Sequence, residues 1–322
     1  MKHLLLAAIA AASLILPAIA SEPAPISSPG EIAAAAPASD WIAIAPSDLL
    51  VMDLAPDAKG PSTRSGPRRV VIQLMPAPFS QGWIGNIRKL AAAHWWDGTS
   101  INRVQDNYVV QWGDATEKKA LPEGLAAVPE SRYVESRFAS AGVHAGAGGT
   151  ERLLSVPVKT DAYSGLAGFW SGWPVAGAKE GHDVWPVHCY GTVGVGRNMS
   201  PDTGSGAELY AVIGHAPRHL DRNIAVVGRV ISGIEHLSSL PRGTEALGFY
   251  KADAERTLIT SIRIANELPA AEQPEFEYLS TESDSFARYA DARANRRDPF
   301  FIRPAGGADI CNIPVPVRAV AK

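Results

Sequence analysis

The sequence predicts a mainly β fold, an antiparallel barrel closed on itself. Three observations carry this. Short apolar runs recur at Asp48–Leu54, Arg69–Leu74, Ile101–Val104, Tyr108–Trp112, Gly191–Gly196, Leu209–Ile213, Ile224–Val230 and Leu258–Ala265. Glycine, proline and Asx residues punctuate them, as between strands. Helical spacing of apolar residues is confined to a few stretches. Many short strands with few helices suit a closed barrel, in which no strand edge is left unpaired.

The chain opens with Met1–Ala20, an export signal by its layout. Lys2 and His3 form the n-region, Leu4–Leu16 is apolar, and Ala18-Ile19-Ala20 is a small-residue cleavage site before Ser21. The apolar run is shorter than the ~20 residues of a spanning helix. The expectation is cleavage after Ala20 and a periplasmic product with no stable membrane insertion. Residues 21–47, rich in Pro, Ala and Ser, read as a flexible linker.

Asp48–Leu54 and Arg69–Leu74 then form a strand pair around a loop marked by Pro56, Gly60, Pro61, Gly66 and Pro67. In Ser80–His94, Trp83, Ile87, Leu90 and Ala91 share one stripe, with Ser80 placed to cap the helix. A short helix is expected near Gly233–Ser239. Residues 115–187 are too many for a structureless loop. They hold Pro122, Pro129, the Gly-rich Ala141–Gly149, the strand-like Arg152–Val158 and the cluster Phe169-Trp170-Ser171-Gly172-Trp173-Pro174. We read an insertion with its own hairpin, forming a lid or side wall. Farther on, Glu275–Arg296 reads as an amphipathic helix. Asp309–Val317 reads as an extended edge segment, where Pro314 and Pro316 are tolerated.

A formal net charge of −3 over 322 residues shows no basic excess, which argues against a nucleic-acid partner. His182, His188, Cys189, His215 and His219 are metal-ligand types, yet no CxxC or HExxH is present. Pro217 also breaks the helix that would present His215 and His219 together. Cys189 follows His188 directly, and strand neighbours point to opposite faces, so a Cys–His nucleophile pair is disfavoured. No metal or cofactor is expected. Cys189 and Cys311 are a disulfide candidate in an exported chain, the alternative being two buried thiols.

The chemistry concentrates in Ser100–Asp114, SINRVQDNYVVQWGD. Two short strands flank an Asp106-Asn107 turn. Alternation along the second points Tyr108 and Val110 one way, Val109 and Gln111 the other. Arg103, Tyr108, Val109 and Gln111 beside one groove would combine a fixed cation, a ring, an apolar wall and an amide. This stretch resembles the signature of the cyclophilin-type peptidyl-prolyl cis-trans isomerases, in which an Arg, an aromatic, an apolar residue and a Gln precede Gly-Gly-Asp. Trp112 stands here for the first Gly. Trp95-Trp96-Asp97-Gly98 matches that family's aromatic-Asp-Gly turn. Asp202–Tyr210 is similar to its polar run ending in Gln and two aromatics, with Glu208 for the Gln and Tyr210 for a Phe. His219-Leu220-Asp221 is similar to its Trp-Leu-Asp, and Ile224 stands where many members carry His.

The resemblance implies a cyclophilin-like domain over residues 48–268, a closed barrel with capping helices. Residues 115–187 are its insertion, and 269–322 a C-terminal extension packed on the barrel. It also implies isomerisation of X–Pro bonds in unfolded or proline-containing segments of exported clients, assisting their folding without a cofactor. That bond resists rotation by ~18–20 kcal/mol. No bond is broken, so a catalyst must favour the twisted state. Arg103, a planar fork of donors, would donate to the prolyl nitrogen once it becomes pyramidal. Gln111 would orient Arg103 and accept a substrate N–H. Tyr108, Val109, Tyr210, His219, Leu220 and Ile224 would wall the proline pocket. Gly196 and Arg197 would hold the substrate through their backbone. Glu208 would belong to the substrate-binding set, where a carboxylate near Arg103 can neutralise it or pull it off station. The alternative is a non-catalytic module that grips proline-containing segments.

Overall fold

The computed structural model describes residues 27–56, 68–136, 155–158, 161–178 and 183–320. The leader expected over residues 1–20, the Gly-rich 141–149 and His182 lie outside the described residues.

Residues expected to be linker form structure instead. Helix α1 (Pro29–Ala34) starts at Ser28, whose side chain accepts from Glu31 N–H while Glu31 reaches back to Ser28 N–H. This capping box, with Pro29 at the first helical position, was legible in Ser-Pro-Gly-Glu. Ala33 and Ala36 join the apolar cluster around Phe286. Strand β1 (Trp41–Ala43) follows. Composition alone hid both elements, because alanine is small enough to pack a helix closely against a neighbour.

The barrel begins with β2 (Leu49–Leu54) and β3 (Arg68–Leu74), then α2 (Gln81–Ala92), β4 (Ser100–Val104) and β5 (Val109–Gly113). The insertion contributes β6 (Ser155–Val158), β7 (Leu166–Trp170), β8 (Trp173–Gly177) and β9 (Val184–Pro186). The chain returns through β10 (Thr192–Val195), β11 (Leu209–Val212), β12 (Val226–Ser232), α3 (Glu235–Ser238) and β13 (Thr257–Ile264). Among the described residues, eight strands close in the order β10-β11-β5-β4-β13-β2-β3-β12. Every neighbouring pair is antiparallel.

The alternation of strand side chains explains the composition of β2. Leu50, Met52 and Leu54 join the interior cluster with Ile72 and Ile262. Leu49 and Val51 lie on the other face with Val71, against Phe276, Tyr278 and Val317 of the tail. Both faces are buried, so the run is apolar almost without interruption. Each such side chain contributes about 1.5–3 kcal/mol on burial. The stripe of α2, Trp83, Ile84, Ile87, Leu90 and Ala91, belongs to the interior cluster. Ser80 does not cap this helix. Its backbone is left-handed, with φ 56° and ψ 20°, and its side chain makes no capping bond; capping needs the extended conformation.

The insertion is more than a hairpin: β6-β7-β8-β9 form an antiparallel sheet. The tail also differs from expectation. Residues 276–279 form strand β14 (Phe276–Leu279), and only Asp284–Ala294 form a helix, α4. Phe276 and Tyr278 recur at the strand period. The last strand, β15 (Val317–Ala319), lies at the edge of a three-stranded sheet ordered β1-β14-β15. Phe286 and Tyr289 of α4 pack with Phe169 and Trp185 of the insertion rather than with the barrel interior. Cys189 and Cys311 are joined in a disulfide that ties the tail to the segment before β10.

Candidate active site

The β4–β5 hairpin sets the site. Its register shifts between Ile101 and Arg103, and Arg103 then pairs with Gln111 across the ladder. Along β5, Val110 and Trp112 point into the barrel, while Val109 and Gln111 face outward. Tyr108 departs from the expected alternation. It sits in the turn, after Asn107 at φ 50°, outside β5. The strand period therefore does not bind it, and it lines the same groove as Val109 and Gln111.

That groove encloses about 700 Å³. Its apolar part is made by Tyr108, Val109, Tyr210, Leu220 and Ile224. Arg103 lies beside it. Its Nε donates to Leu247 O at 2.7 Å, its Nη1 to Gln111 Oε1 at 3.2 Å, and its Nη2 to Gln105 Oε1. The rings of Tyr108 and Phe249 flank the guanidinium, with centroids 5.7 and 5.4 Å from Cζ. Burial holds the guanidinium below its ordinary pKa. A guanidinium carries five N–H groups. Three are committed among the described residues, which leaves two for a ligand.

Glu208 does not neutralise Arg103. Its carboxylate accepts from Asn102 Nδ2 at 3.3 Å, from Gln111 Nε2 at 3.5 Å and from the Asp114 backbone N–H. Burial pushes its carboxyl above the ordinary value. A carboxylate only accepts, so Gln111 turns its NH₂ to Glu208 and its oxygen to Arg103. Arg197 lines the groove, but its guanidinium folds onto Asn223 O and Asn198 O at 3.1 and 2.7 Å. The Gly196 N–H donates to Glu208 O at 2.8 Å. His219 is the expected wall residue that the cavity lacks. It is exposed, with its ring near-parallel to Tyr108 at 6.1 Å. Among the described residues no three His, Cys, Asp or Glu side chains gather as metal ligands.

The chain matches the family described as cyclophilin type peptidyl-prolyl cis-trans isomerase/CLD over residues 65–266. It belongs to the cyclophilin-type isomerase family. Enzymes of this family rotate peptidyl-prolyl bonds in proline-containing peptides. No curated protein matches the chain. Among solved structures, a cyclophilin from Hirschia baltica is similar, with a TM-score of 0.60 and 21% identity. The likeness covers 87% of this chain and 93% of that one, so the shared fold extends past the family core. A cyclophilin type isomerase from Cryptosporidium parvum, solved in the presence of the dipeptide Ala-Pro, matches at a TM-score of 0.35 and 12% identity. It covers 61% of this chain and 92% of that one.

Several parts of this cyclophilin site were not expected. Gln105, Leu247 and Phe249 hold Arg103, and Asn102 holds Glu208. Leu247 lies about 140 residues from Arg103 in sequence, and no local pattern announces it. Leu247 is left-handed, at φ 59°, and so is Gly248, at φ 81°. A Cβ on Gly248 would meet Gln105 Cα and Val104 O at 2.7 Å. Helix α2 supports the approach to β11: Trp83 Nε1 donates to Thr203 O and Gly204 O, and Asn86 Nδ2 to Ser205 O. The Asn86 amide was a signal available in the sequence, a polar residue set between the apolar positions of that helix.

Proposed function

We propose that this chain accelerates rotation about X–Pro bonds in exported polypeptides, with Arg103 as the catalytic residue. One observation carries the reading: a half-buried guanidinium, fixed by three acceptors and two rings, borders the apolar wall of Tyr108, Val109, Tyr210, Leu220 and Ile224 with two N–H groups uncommitted among the described residues. The planar amide gives such a donor little to bind, because the nitrogen lone pair is delocalised. As the bond twists, the lone pair returns to nitrogen and becomes an acceptor. The interaction is therefore stronger in the transition state than in the ground state, which is the condition for acceleration. Gln111 keeps the guanidinium on station and Glu208 keeps Gln111 in the required orientation. Tyr108, Val109, Tyr210, Leu220 and Ile224 hold the pyrrolidine ring while the acyl side turns.

Export is supported by the leader-like Met1–Ala20 and by the Cys189–Cys311 disulfide, since such bonds persist in oxidising compartments. The periplasm fits both, and folding assistance to exported proteins is the role that follows. The test is an isomerisation assay on an X-Pro peptide with wild type and Arg103→Ala. The proposal expects a fast wild type and a variant near the uncatalysed rate. Background rates for both would leave a module that binds proline segments without turning them.

A further inference from the structure

A buried polar chain runs from the floor of the pocket to the insertion. The Tyr210 hydroxyl lies 2.9 Å from His188 Nε2, and His188 Nδ1 lies 3.0 Å from Asp221 Oδ1. Asp221 accepts, so Nδ1 donates to it, and Nε2 is left to bond the tyrosine hydroxyl. Asp221 Oδ2 takes a bond from Arg218 Nε at 2.6 Å, and Arg218 Nη2 donates to Asp161 Oδ2 at 2.8 Å. The side chains of His188, Arg218, Asp221 and Asp161 are each no more than 4% exposed. Burial works against the Arg218 charge, but Asp221 and Asp161 outweigh it.

The position of this chain gives it meaning. Arg218 and Asp221 bracket His219 and Leu220, the turn whose Leu220 walls the pocket. The insertion grips that turn at three points. Asp161 binds Arg218, Tyr163 lies under the Arg218 guanidinium at 5.0 Å, and Trp185 lies under Arg222 at 4.7 Å. Asp161 is itself oriented by the Tyr163 N–H at 2.9 Å and the Ser164 hydroxyl at 2.8 Å. Losing Arg218 would take the cation from two buried carboxylates, and losing Asp161 would leave Arg218 to Asp221 alone, so the geometry is strongly held.

We infer that the insertion is a positioning element for the proline pocket: Asp161, through Arg218 and Asp221, fixes the Leu220 wall and, through His188, the Tyr210 floor. These are positioning residues for the proposed reaction, on which this inference rests. Arg103 and Gln111 stand on β4 and β5, outside the chain, so the network sets the fit of the ring rather than the donor that polarises it.

The experiment compares wild type, Asp161→Ala, the gentler Asp161→Asn, Tyr210→Phe and the Asp161→Ala/Tyr210→Phe double variant. Two readouts are taken: Kd for an Ala-Pro peptide by NMR titration, with Leu220 methyl shifts, and kcat and KM for its isomerisation. Asp161→Ala is expected to raise Kd and KM about 3–10-fold, inside the range for coupling through packed networks, with kcat nearly unchanged and Leu220 methyls displaced. If that variant does not fold, Asp161→Asn reads the same effect at smaller size. The Tyr210→Phe penalty should not multiply with that of Asp161→Ala, because both cut one chain. Unmoved Leu220 methyls with a wild-type Kd, or penalties that multiply, overturn the inference. A wild type that binds peptide without isomerising it sinks the catalytic reading instead, and the binding arm still decides this one.

Discussion

Replacing Arg103 by lysine separates charge from geometry. Arg103 gives one N–H each to Leu247 O, Gln111 Oε1 and Gln105 Oε1. Two of its five donors remain for the prolyl nitrogen. Lysine keeps the charge but has three donors on one nitrogen. To satisfy the same three acceptors it would spend all of them, and it cannot reach three splayed oxygens at once. Either the ammonium leaves an acceptor unpaired or it has nothing to offer the substrate. Loss of one preorganised transition-state donor costs about 10²–10³-fold in kcat, or about 3–4 kcal/mol. Arg103→Lys should therefore fall nearly as far as Arg103→Ala. The ring-holding walls survive both changes, so KM should move less than about 3-fold, the signature of an interaction made only in the transition state. NMR exchange spectroscopy on an X-Pro peptide, saturated with each enzyme, gives kcat directly. A lysine variant with wild-type kcat would refute the donor count. An alanine variant with wild-type kcat would remove Arg103 from the mechanism.

Three further outcomes are expected. Gly248→Ala, at φ 81° with backbone atoms 2.7 Å from the new Cβ, should cost about 1–3 kcal/mol of strain and shift Leu247 O away from Arg103; the assay is kcat beside urea unfolding, and a stable, fully active variant would contradict it. Glu208 titrates above its ordinary carboxyl value because it is buried, so the folded state binds its proton more tightly than the unfolded chain does. The contribution of Glu208 to stability is then fully present below the unfolded pKa and is lost as pH rises through the raised folded value. Glu208→Gln should lack that decline, and a stability difference that is flat with pH in urea melts would disprove the assignment. Cys311→Ser opens a loop of 122 residues, and the chain-entropy model puts its cost at about 4–5 kcal/mol; an unchanged urea midpoint would show that the tail is held by Phe286 and Tyr289 packing alone.

What the sequence determined by itself was local. Short apolar runs bounded by turn residues marked the barrel strands, because burial on both faces leaves a nearly continuous apolar run that a single strand displays. The Arg103–Gln111 hairpin was legible for the same reason, since its two strands and turn are contiguous. The folded chain alone decided everything that depends on distant segments meeting. Tyr108 left the alternation because it sits in the turn after the left-handed Asn107, and β5 begins only at Val109. Glu208 faced Asn102 and Gln111 rather than Arg103, because donors from β4, from β5 and from Asp114 just after it converge on its carboxylate. Leu247 reached Arg103, and Asp161 reached Arg218, across gaps that no period spans. A hydrogen bond records only where two atoms stand in space, and their separation along the chain leaves no mark in either neighbourhood.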